Sequence, residues 1–255
     1  MKLSIADIKA YFNEEESPFI EIFDSIDSTS NEAKRAIERG LASEAIFVSH
    51  HQTAGRGRHG KSFYSPGESG LYFSIVLHPE ISLEKSVMLT VAAAVATREV
   101  IEAQTKKQPM IKWVNDIFID NKKVCGILAE AINDYEKGII KSAVIGIGIN
   151  ITTKDFPDEL DGVASSLGEE INRNETVALI FKRLKEICDQ LENNKDFIDE
   201  YRKYSLAIGK TVSFKRNGVD HKAKAVDVSD NGELLVITEG GEEILLNSGE
   251  ISIKL

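Results

Sequence analysis

Hydrophobic and polar positions follow two different patterns along the chain. Over most of its length, apolar runs of strand length are interspersed with longer segments in which apolar residues recur at helical spacing. From Lys210 onward, short strand-like runs follow one another, separated by turn residues such as Asp230-Asn231-Gly232. Short strands at such regular spacing are typical of a small barrel. We therefore predict one domain over residues 1–204 and a second over residues 205–255.

Serines mark the predicted helix starts in the larger domain. Ser4, Ser28 and Ser82 precede segments of helical periodicity and are candidate N-caps. The helix after Ser82 is expected to run for about twenty residues and to end before Pro109. A hairpin is predicted around Asn121-Lys122-Lys123. Strands are predicted over residues 19–26, 45–49, 71–77, 111–114, 116–120, 124–131 and 139–151, and two later helices between residues 177 and 204.

Residues 55–65, with the sequence GRGRHGKSFYS, carry cations separated mainly by glycine. Arginine presents a fork of donors that matches carboxylates and phosphates, and glycine lets the backbone approach an anion closely. The segment also satisfies the P-loop pattern, but Pro66 and the glycines after it prevent the helix that a P-loop requires. We predict a strand-loop-strand segment that binds an anion through Arg56, Arg58 and Lys61.

The overall charge contrasts with this basic loop, because the formal net charge of the chain is −10. Bulk nucleic-acid binding requires a basic face, so the overall charge disfavours it. Residues 205–255 contain six basic and eight acidic residues, which disfavours a nucleic-acid-binding barrel as well. A local basic loop on an acidic chain indicates a small anionic ligand, or a cleft that focuses charge.

Cysteine usage and the N-terminal sequence indicate a cytoplasmic protein. Cys125 and Cys188 lie far apart without a CxxC motif, so we interpret them as free thiols in a reducing compartment. The first residues lack the apolar core of a signal peptide, and no window approaches the ~18 apolar residues of a membrane span. His50, His51 and His59 lack the spacing of metal ligands, and we expect them in a loop or at the surface.

Two further segments carry candidate chemistry. Lys112, Asn115 and Asp116 place a cation, an amide and a carboxylate within five residues. Such a set can hold phosphates, a metal or an acceptor amine, whereas the alternative is a core aromatic, Trp113, beside a turn. Gly146-Ile147-Gly148 lacks the third glycine and the following helix of a dinucleotide-binding fingerprint, so we exclude a Rossmann site.

Taken in order, these segments resemble those of the biotin–protein ligases. IDSTSNEA is similar to the family's D-S-T-N segment, and QTAGRGRHGKSFYS is similar to its glycine–arginine loop. KWVNDIFIDNKKVCGILAE resembles K-W-P-N-D…K-x-x-G-I-L-x-E, VIGIGIN resembles G-x-G-x-N, and the terminal GEISIKL resembles the end of the family's small barrel. Val114, Lys61 and Phe63 depart from the family's proline, arginine and tryptophan, which puts the affinity for ATP in question.

The resemblance implies an α+β fold with a mixed-sheet catalytic domain, like those of class II synthetases and lipoate ligases, followed by a C-terminal SH3-like β-barrel. It also implies a reaction in two steps, with ATP and Mg²⁺ as cofactors. Biotin and MgATP would give biotinyl-5′-AMP and pyrophosphate. The biotinyl group would then pass to a lysine on the biotin carboxyl carrier domain of a carboxylase.

The same resemblance assigns roles to individual residues, with no metal ligand among them. Contacts to biotin are expected from Ser28, Thr29, Gln52, Gly55, Arg56, Lys123 and Gly126. Contacts to the nucleotide are expected from Arg58, Lys61, Phe63, Lys112, Asn115 and Asn150. Catalytic roles are expected for Arg58, Lys123 and Asp116, with Asp116 orienting the attacking lysine.

The sequence is also compatible with other functions. The nearest is a lipoate or octanoate ligase or transferase on the same scaffold, and a more distant one is a non-catalytic nucleic-acid binder. Some family members carry an N-terminal DNA-binding domain and act as repressors, but the residues before Ser28 are too few for one. We therefore expect the form without this domain, with neither operator DNA nor a membrane as a partner. The oligomeric state is open, and a homodimer is one alternative.

Overall fold

The structure, a computed structural model, describes residues 2–191, 196–216 and 218–253. Two sheets account for its strands. The strands are β1 (Phe19–Phe23), β2 (Ala45–Ser49), β3 (Gly70–Leu77), β4 (Ile81–Ser82), β5 (Met110–Lys112), β6 (Asp116–Ile119), β7 (Lys122–Asp134), β8 (Ile139–Asn150), β9 (Thr211–Arg216), β10 (Val219–Val228), β11 (Leu234–Thr238), β12 (Glu243–Leu246) and β13 (Ile251–Ile253). The helices are α1 (Ile5–Lys9), α2 (Thr29–Glu38), α3 (Ser86–Thr105), α4 (Arg173–Asp189) and α5 (Asp196–Lys203).

The larger sheet has the order β1-β2-β3-β8-β7-β6-β5, with β4 paired to β8. β1 and β2 run parallel, and the other neighbouring pairs run antiparallel. The prediction of a mixed sheet is confirmed, and so is the α+β class.

The two faces of this sheet are used differently. Side chains alternate along each strand, so Phe73 and Ile75 of β3 point toward the main core, while Ser74 and Val76 point to the opposite face. α3 and α4 cover the first face, with α3 buried over most of its length. α2 covers the second face mainly over β2, β3 and β8, and its Lys34 reaches β7 at Glu130. The part of β7 around Gly126 lines a cavity on this face and can hold a site.

One local prediction is wrong, and another is confirmed with its turn shifted along the chain: the predicted hairpin forms between β6 and β7. Ser82 does not cap α3, because a 3₁₀ turn over Leu83–Lys85 intervenes and the helix begins at Ser86. The hairpin turn between β6 and β7 is formed by Asp120 and Asn121, both with positive φ angles of 50° and 61°. Asp and Asn tolerate this left-handed conformation, as a two-residue hairpin turn requires. Lys122 and Lys123 are consequently strand residues of β7.

The predicted barrel is observed as a separate antiparallel sheet with the order β12-β11-β10-β9-β13. Asn217, in one predicted turn, and residues 254–255, at the end of the last predicted strand, lie outside the described residues. This sheet contacts the larger domain, because the indole N–H of Trp113 donates to the carbonyl of Gly232 over 3.0 Å. Arg202 at the end of α5 also donates to the carbonyl of Val228 over 2.7 Å. Among the described residues, no helix is both long and apolar enough to cross a membrane.

The central strand β3 gives a direct test of the core. Replacing the fully buried Ile75 by alanine should lower the free energy of unfolding by about 2–5 kcal/mol, because the change leaves a cavity in the main core. Urea unfolding followed by circular dichroism would measure the loss. Leu245→Ala, at a residue that is 52% exposed, is the control. Equal losses for the two variants would contradict this description of the core.

Candidate functional site

A cavity of about 340 Å³ opens on the second face of the larger sheet, beside α2. Its floor is backbone, because Gly126 of β7 pairs with Gly148 of β8. The ring of Phe63 lies over this pair, and a Cβ built on Gly148 would overlap the ring. A Cβ on Gly126 would lie 3.0 Å from it. Only glycine therefore lets an aromatic ring rest this closely on the sheet.

One end of the cavity is uncharged and polar. Ser28 occupies the N-cap position of α2 in an extended conformation, and its side chain makes no capping hydrogen bond. The backbone N–H of Thr29 donates to the Oε1 atom of Gln52 over 2.8 Å, and the Nε2 atom of Gln52 donates to Ser65 over 3.0 Å. This end joins the start of α2 to the segment that enters the basic loop.

The rest of the cavity is strongly cationic. Among the described residues that line it, five are cationic and two, Asp116 and Glu250, are acidic. The cationic residues are Arg56, Arg58, Lys61, Lys112 and Lys123. Such a concentration of positive charge favours an anionic ligand.

The guanidinium of Arg56, one of these five cationic residues, is paired with a carboxylate. It donates to both oxygens of Glu130, over 2.8 and 2.9 Å, and to the side chain of Asn31 over 3.2 Å. Lys34 of α2 pairs with the same carboxylate. The expectation that the Arg56 side chain neutralises a ligand anion stays a prediction, and in this structure a bidentate pair with Glu130 already uses its guanidinium. Arg56 also lines the cavity.

Lys61 and Arg58 differ in their partners. Lys61 donates to Glu250, which directly precedes β13 of the smaller sheet, over 2.6 Å, and this pairing lowers the pKa of the Glu250 carboxyl below its ordinary value. Arg58 donates to the neutral side chain of Asn115 over 3.1 Å. Burial lowers the pKa of the Arg58 guanidinium, which still remains protonated at neutral pH.

Lys123 and Lys112 lie deeper in the cavity. Lys123 forms an ion pair with Asp116 at 2.6 Å, so these two predicted catalytic residues contact each other. The ammonium of Lys112 lies 5.5 Å from the centre of the Phe118 ring. Burial lowers the pKa of Lys112 below its ordinary value, and the nearby charge of Asp116 opposes this shift. A bound anion would stabilise this buried charge.

The structure brings most of the predicted site residues to one cavity. Those that line it are Ser28, Thr29, Gln52, Arg56, Arg58, Lys61, Phe63, Lys112, Asn115, Asp116, Lys123 and Gly126. Gly55 lies behind the wall, where an added Cβ would be 2.5 Å from the Ser65 hydroxyl. Asn150 is buried at the end of β8, where its side-chain N–H donates to the carbonyl of Ser165 over 3.0 Å. The roles of these residues toward ligands stay predictions.

Sequence reasoning missed three polar residues at this site. Ser30 lines the polar end, next to the predicted Ser28 and Thr29. Glu130 belongs to the GILAE segment already quoted, and its position on the same strand face as Gly126 could have indicated it. Glu250 directly precedes β13 of the other sheet, and no local signal indicates its contact with the loop.

Two family models match the chain. The model for the Biotin/lipoate A/B protein ligase family matches residues 22–150, and the model for the Biotin protein ligase C terminal domain matches residues 207–254. These two matches cover the larger sheet with the cavity and the smaller sheet.

Individual relatives are similar over most of the chain. The bifunctional ligase/repressor BirA of Bacillus spizizenii is 34% identical over 86% of this chain and 69% of its own length. The biotin–[acetyl-CoA-carboxylase] ligase of Mycobacterium tuberculosis is 28% identical over 81% of this chain and 77% of its own length. The biotin protein ligase of Aquifex aeolicus, solved in complex with biotin and ATP, has a TM-score of 0.77 and 29% identity, covering 92% of this chain and 98% of that one.

The pair between Arg56 and Glu130 predicts a measurable effect on the loop. Glu130→Gln removes the charge that holds Arg56, so trypsin should cleave within residues 56–61 several-fold faster, because the base of the loop opens more often. Peptide mapping after limited digestion would measure the rate.

Glu99→Gln is the matched control, since it breaks a comparable bidentate pair with Arg183 outside the cavity wall. Identical cleavage of the loop in both variants would mean that Glu130 does not restrain it.

Proposed function

Because the chain belongs to the biotin/lipoate A/B protein ligase family and is a ligase, we propose that it activates biotin with ATP and transfers it to a carrier protein. The first product is biotinyl-5′-AMP, and the acceptor is a lysine on the biotin carboxyl carrier domain of a carboxylase. The observation that carries this proposal is the cavity itself, in which an uncharged polar end meets a cationic region over a glycine floor. This arrangement suits a ligand with a polar head and a carboxylate tail.

The polar end is the proposed site of the biotin head group. A urea ring has N–H donors and a carbonyl acceptor, and the hydroxyls of Ser28 and Thr29 can partner both. The valeryl chain would then run beside the ring of Phe63, which itself rests on the floor at Gly126 and Gly148. This path directs the carboxylate toward Lys123, whose ammonium lies 3.2 Å from the position a Cβ on Gly126 would take.

Adenylation brings two anions together, and the cationic residues make this possible. A carboxylate oxygen of biotin attacks the α-phosphorus of ATP, the bond from that phosphorus to the bridging oxygen breaks, and pyrophosphate leaves. Negative charge on the transferred phosphate rises during attack, so fixed cations stabilise the transition state. Arg58 and Lys112 carry this role, since neither needs to leave a carboxylate first. Lys123 would hold the biotin carboxylate.

Transfer requires an uncharged acceptor amine. The ε-nitrogen of the carrier lysine attacks the acyl carbon of biotinyl-5′-AMP, an amide bond forms, and AMP leaves with the electrons of the broken acyl–oxygen bond. Asp116 lies at the cavity wall and can accept the proton that the amine loses. Its ion pair with Lys123 holds the carboxylate in place before the acceptor arrives.

Mg²⁺ enters this proposal with the nucleotide. Within the described part of the chain, no group of three His, Cys, Asp or Glu side chains could hold a metal ion. Mg²⁺ is commonly bound by substrate phosphates with one or two carboxylates, which fits Asp116 and Glu250 as the acidic residues of the wall. When bound, it would neutralise part of the phosphate charge.

The substrate assignment has a direct test. Purified protein with biotin and MgATP should release pyrophosphate and retain biotinyl-5′-AMP, because both halves of the cavity are then occupied. A coupled pyrophosphate assay and mass spectrometry of the retained ligand would measure this. Release with lipoate or octanoate and none with biotin would replace the assignment by the lipoate-type alternative.

The residue roles are separable by half-reaction. Arg58→Ala and Lys123→Ala should slow adenylation by ~10²–10³-fold, since each leaves developing negative charge unpaired. Asp116→Ala should additionally slow transfer from preformed biotinyl-5′-AMP. Pyrophosphate release reports the first step, and single-turnover transfer to a carrier domain reports the second.

Arg183→Ala, which removes an arginine on α4 outside the cavity wall, should leave both rates near wild type. If Asp116→Ala transfers from added biotinyl-5′-AMP at the wild-type rate, its role toward the acceptor amine is wrong.

A further inference from the structure

A fully buried hydroxyl lies directly behind the polar end of the cavity. Ser74 of β3 is 0% exposed and points to the face covered by α2. Its Oγ atom lies 2.8 Å from Oγ1 of Thr29 and 3.0 Å from Oγ of Ser30. Thr29 and Ser30 line the cavity, whereas Ser74 does not. Ser74 therefore contacts two hydroxyls of the wall without itself reaching a ligand.

The direction of the hydrogen bonds among these hydroxyls is fixed by Ser65, which lies at the other end of the same hydrogen-bond network. The Ser65 hydroxyl lies 3.0 Å from the carbonyl oxygen of Phe63, which can only accept, so Ser65 donates there. Ser65 must then accept from Nε2 of Gln52. The Oε1 atom of Gln52 correspondingly faces α2, where it accepts from the backbone N–H of Thr29. The orientation of the Gln52 amide is thus fixed at both ends.

The orientation of the Gln52 amide determines where the hydroxyl protons of Thr29, Ser74 and Ser30 point. The Thr29 hydroxyl lies 3.2 Å from Oε1 of Gln52, which has no proton, so Thr29 donates to it. A hydroxyl has one proton, so the short contact between Thr29 and Ser74 requires Ser74 to donate. The proton of Ser74 is then used, and Ser30 must donate to Ser74. The chain of donors runs in one direction, from Ser30 through Ser74 to the loop.

Two glycines make room for this chain. Gly146 pairs with Ser74 across the sheet, and a Cβ on Gly146 would lie 2.5 Å from the Ser30 hydroxyl. At the other end, a Cβ on Gly55 would lie 2.5 Å from the Ser65 hydroxyl. Any larger residue at either position would displace one of these hydroxyls. The hydroxyls are therefore confined by the backbone as well as by their partners.

We propose that Ser74 is a positioning residue that sets the hydroxyls of Thr29 and Ser30 as acceptors toward the ligand. With their protons directed into the protein, both oxygens present lone pairs to the cavity. This end of the cavity then selects a head group with N–H donors, as a cyclic urea has, over a dithiolane or an alkyl chain, which have none. The inference rests on the proposed function and deepens it, because it names the feature of biotin that the wall selects.

The chain also connects the head-group end to the loop. Its last acceptor is the carbonyl of Phe63, whose ring lies over the glycine floor. Hydrogen bonds that run in one direction polarise one another, so each link strengthens the next. Loss of Ser74 should therefore weaken ligand binding through Thr29 and Ser30, although no ligand atom touches Ser74.

The test compares Ser74→Ala with Ser142→Ala. Ser142 is a buried serine of β8 that bonds to His78 and does not line the cavity. Ser74→Ala should raise the KM for biotin about tenfold, because Thr29 loses its donor and the Ser30 proton loses its acceptor and is free to turn toward the ligand. The KM for MgATP and kcat should change little. Ser142→Ala should leave all three parameters near wild type.

Two further variants show whether Ser74 acts through Thr29. Ser74→Cys keeps the size of the side chain with a weaker donor and should give an intermediate KM. Combining Ser74→Ala with Thr29→Val should raise the KM by less than the product of the two single effects, because both remove the same link. Thermal unfolding would confirm that each variant is folded. If Ser74→Ala does not fold, Ser74→Cys replaces it in the comparison with the wild type.

The outcomes distinguish this inference from the proposed function. Biotin activity in the wild type together with an unchanged KM in Ser74→Ala or Ser74→Cys would overturn the role of Ser74 alone. Wild-type protein that activates lipoate or octanoate instead of biotin would overturn both, because those acids carry no N–H donor.

Discussion

The site depends on a strip of bare backbone on one face of a sheet that is packed on the other. Gly126 and Gly148 face each other across β7 and β8, and Gly146 follows on the same face. Alternation along the same strands places Ile145 and Ile147 in the main core. One face thus supplies stability, while the other lets the Phe63 ring lie directly on the backbone. Because α2 lies mainly over β2, β3 and β8, this strip opens into the cavity.

The cationic residues that line the cavity outnumber its acidic residues, which favours a bound anion. Three of its cationic residues, Arg56, Lys61 and Lys123, are matched by carboxylates. Within the described residues, Arg58 donates to the neutral amide of Asn115, and Lys112 lies beside an aromatic ring. Burial lowers the pKa of both groups, which means that the folded protein destabilises these charges relative to water. A bound anion would supply negative charge beside these two residues.

Local sequence patterns predicted the features that depend on neighbours in the chain. The strand-loop-strand form of the basic segment followed from Pro66 and its glycines, and the strands followed from apolar runs. The start of α3 and the position of the hairpin turn were missed because each depends on backbone conformation at one or two residues. Ser74 and Glu130 were missed for a different reason. Their partners, Thr29 and Arg56, lie 45 and 74 residues away, so only the fold brings them together.

Two ion pairs of unequal strength hold the basic loop, one at its base and one at its tip. Their difference in strength determines which end of the loop opens first. Its base is fixed by the bidentate pair of Arg56 with Glu130, whose side chains are 35% and 20% exposed. Its tip is fixed by Lys61 and Glu250, which are 65% and 50% exposed. Exposed ion pairs contribute about 0–1 kcal/mol, so the contact at the tip breaks first.

The pairing of Lys61 with Glu250 holds the pKa of the Glu250 carboxyl below its ordinary value, so the contact is present at neutral pH and is lost as the pH falls through that lowered pKa. Because Glu250 directly precedes β13, and Ile251 and Ser252 of β13 also line the cavity, the smaller sheet contributes to the cavity wall, although the floor and the polar end are formed by the larger sheet and α2. Opening at the tip would therefore leave the contacts of Gln52, Ser65 and Arg56 at the base in place.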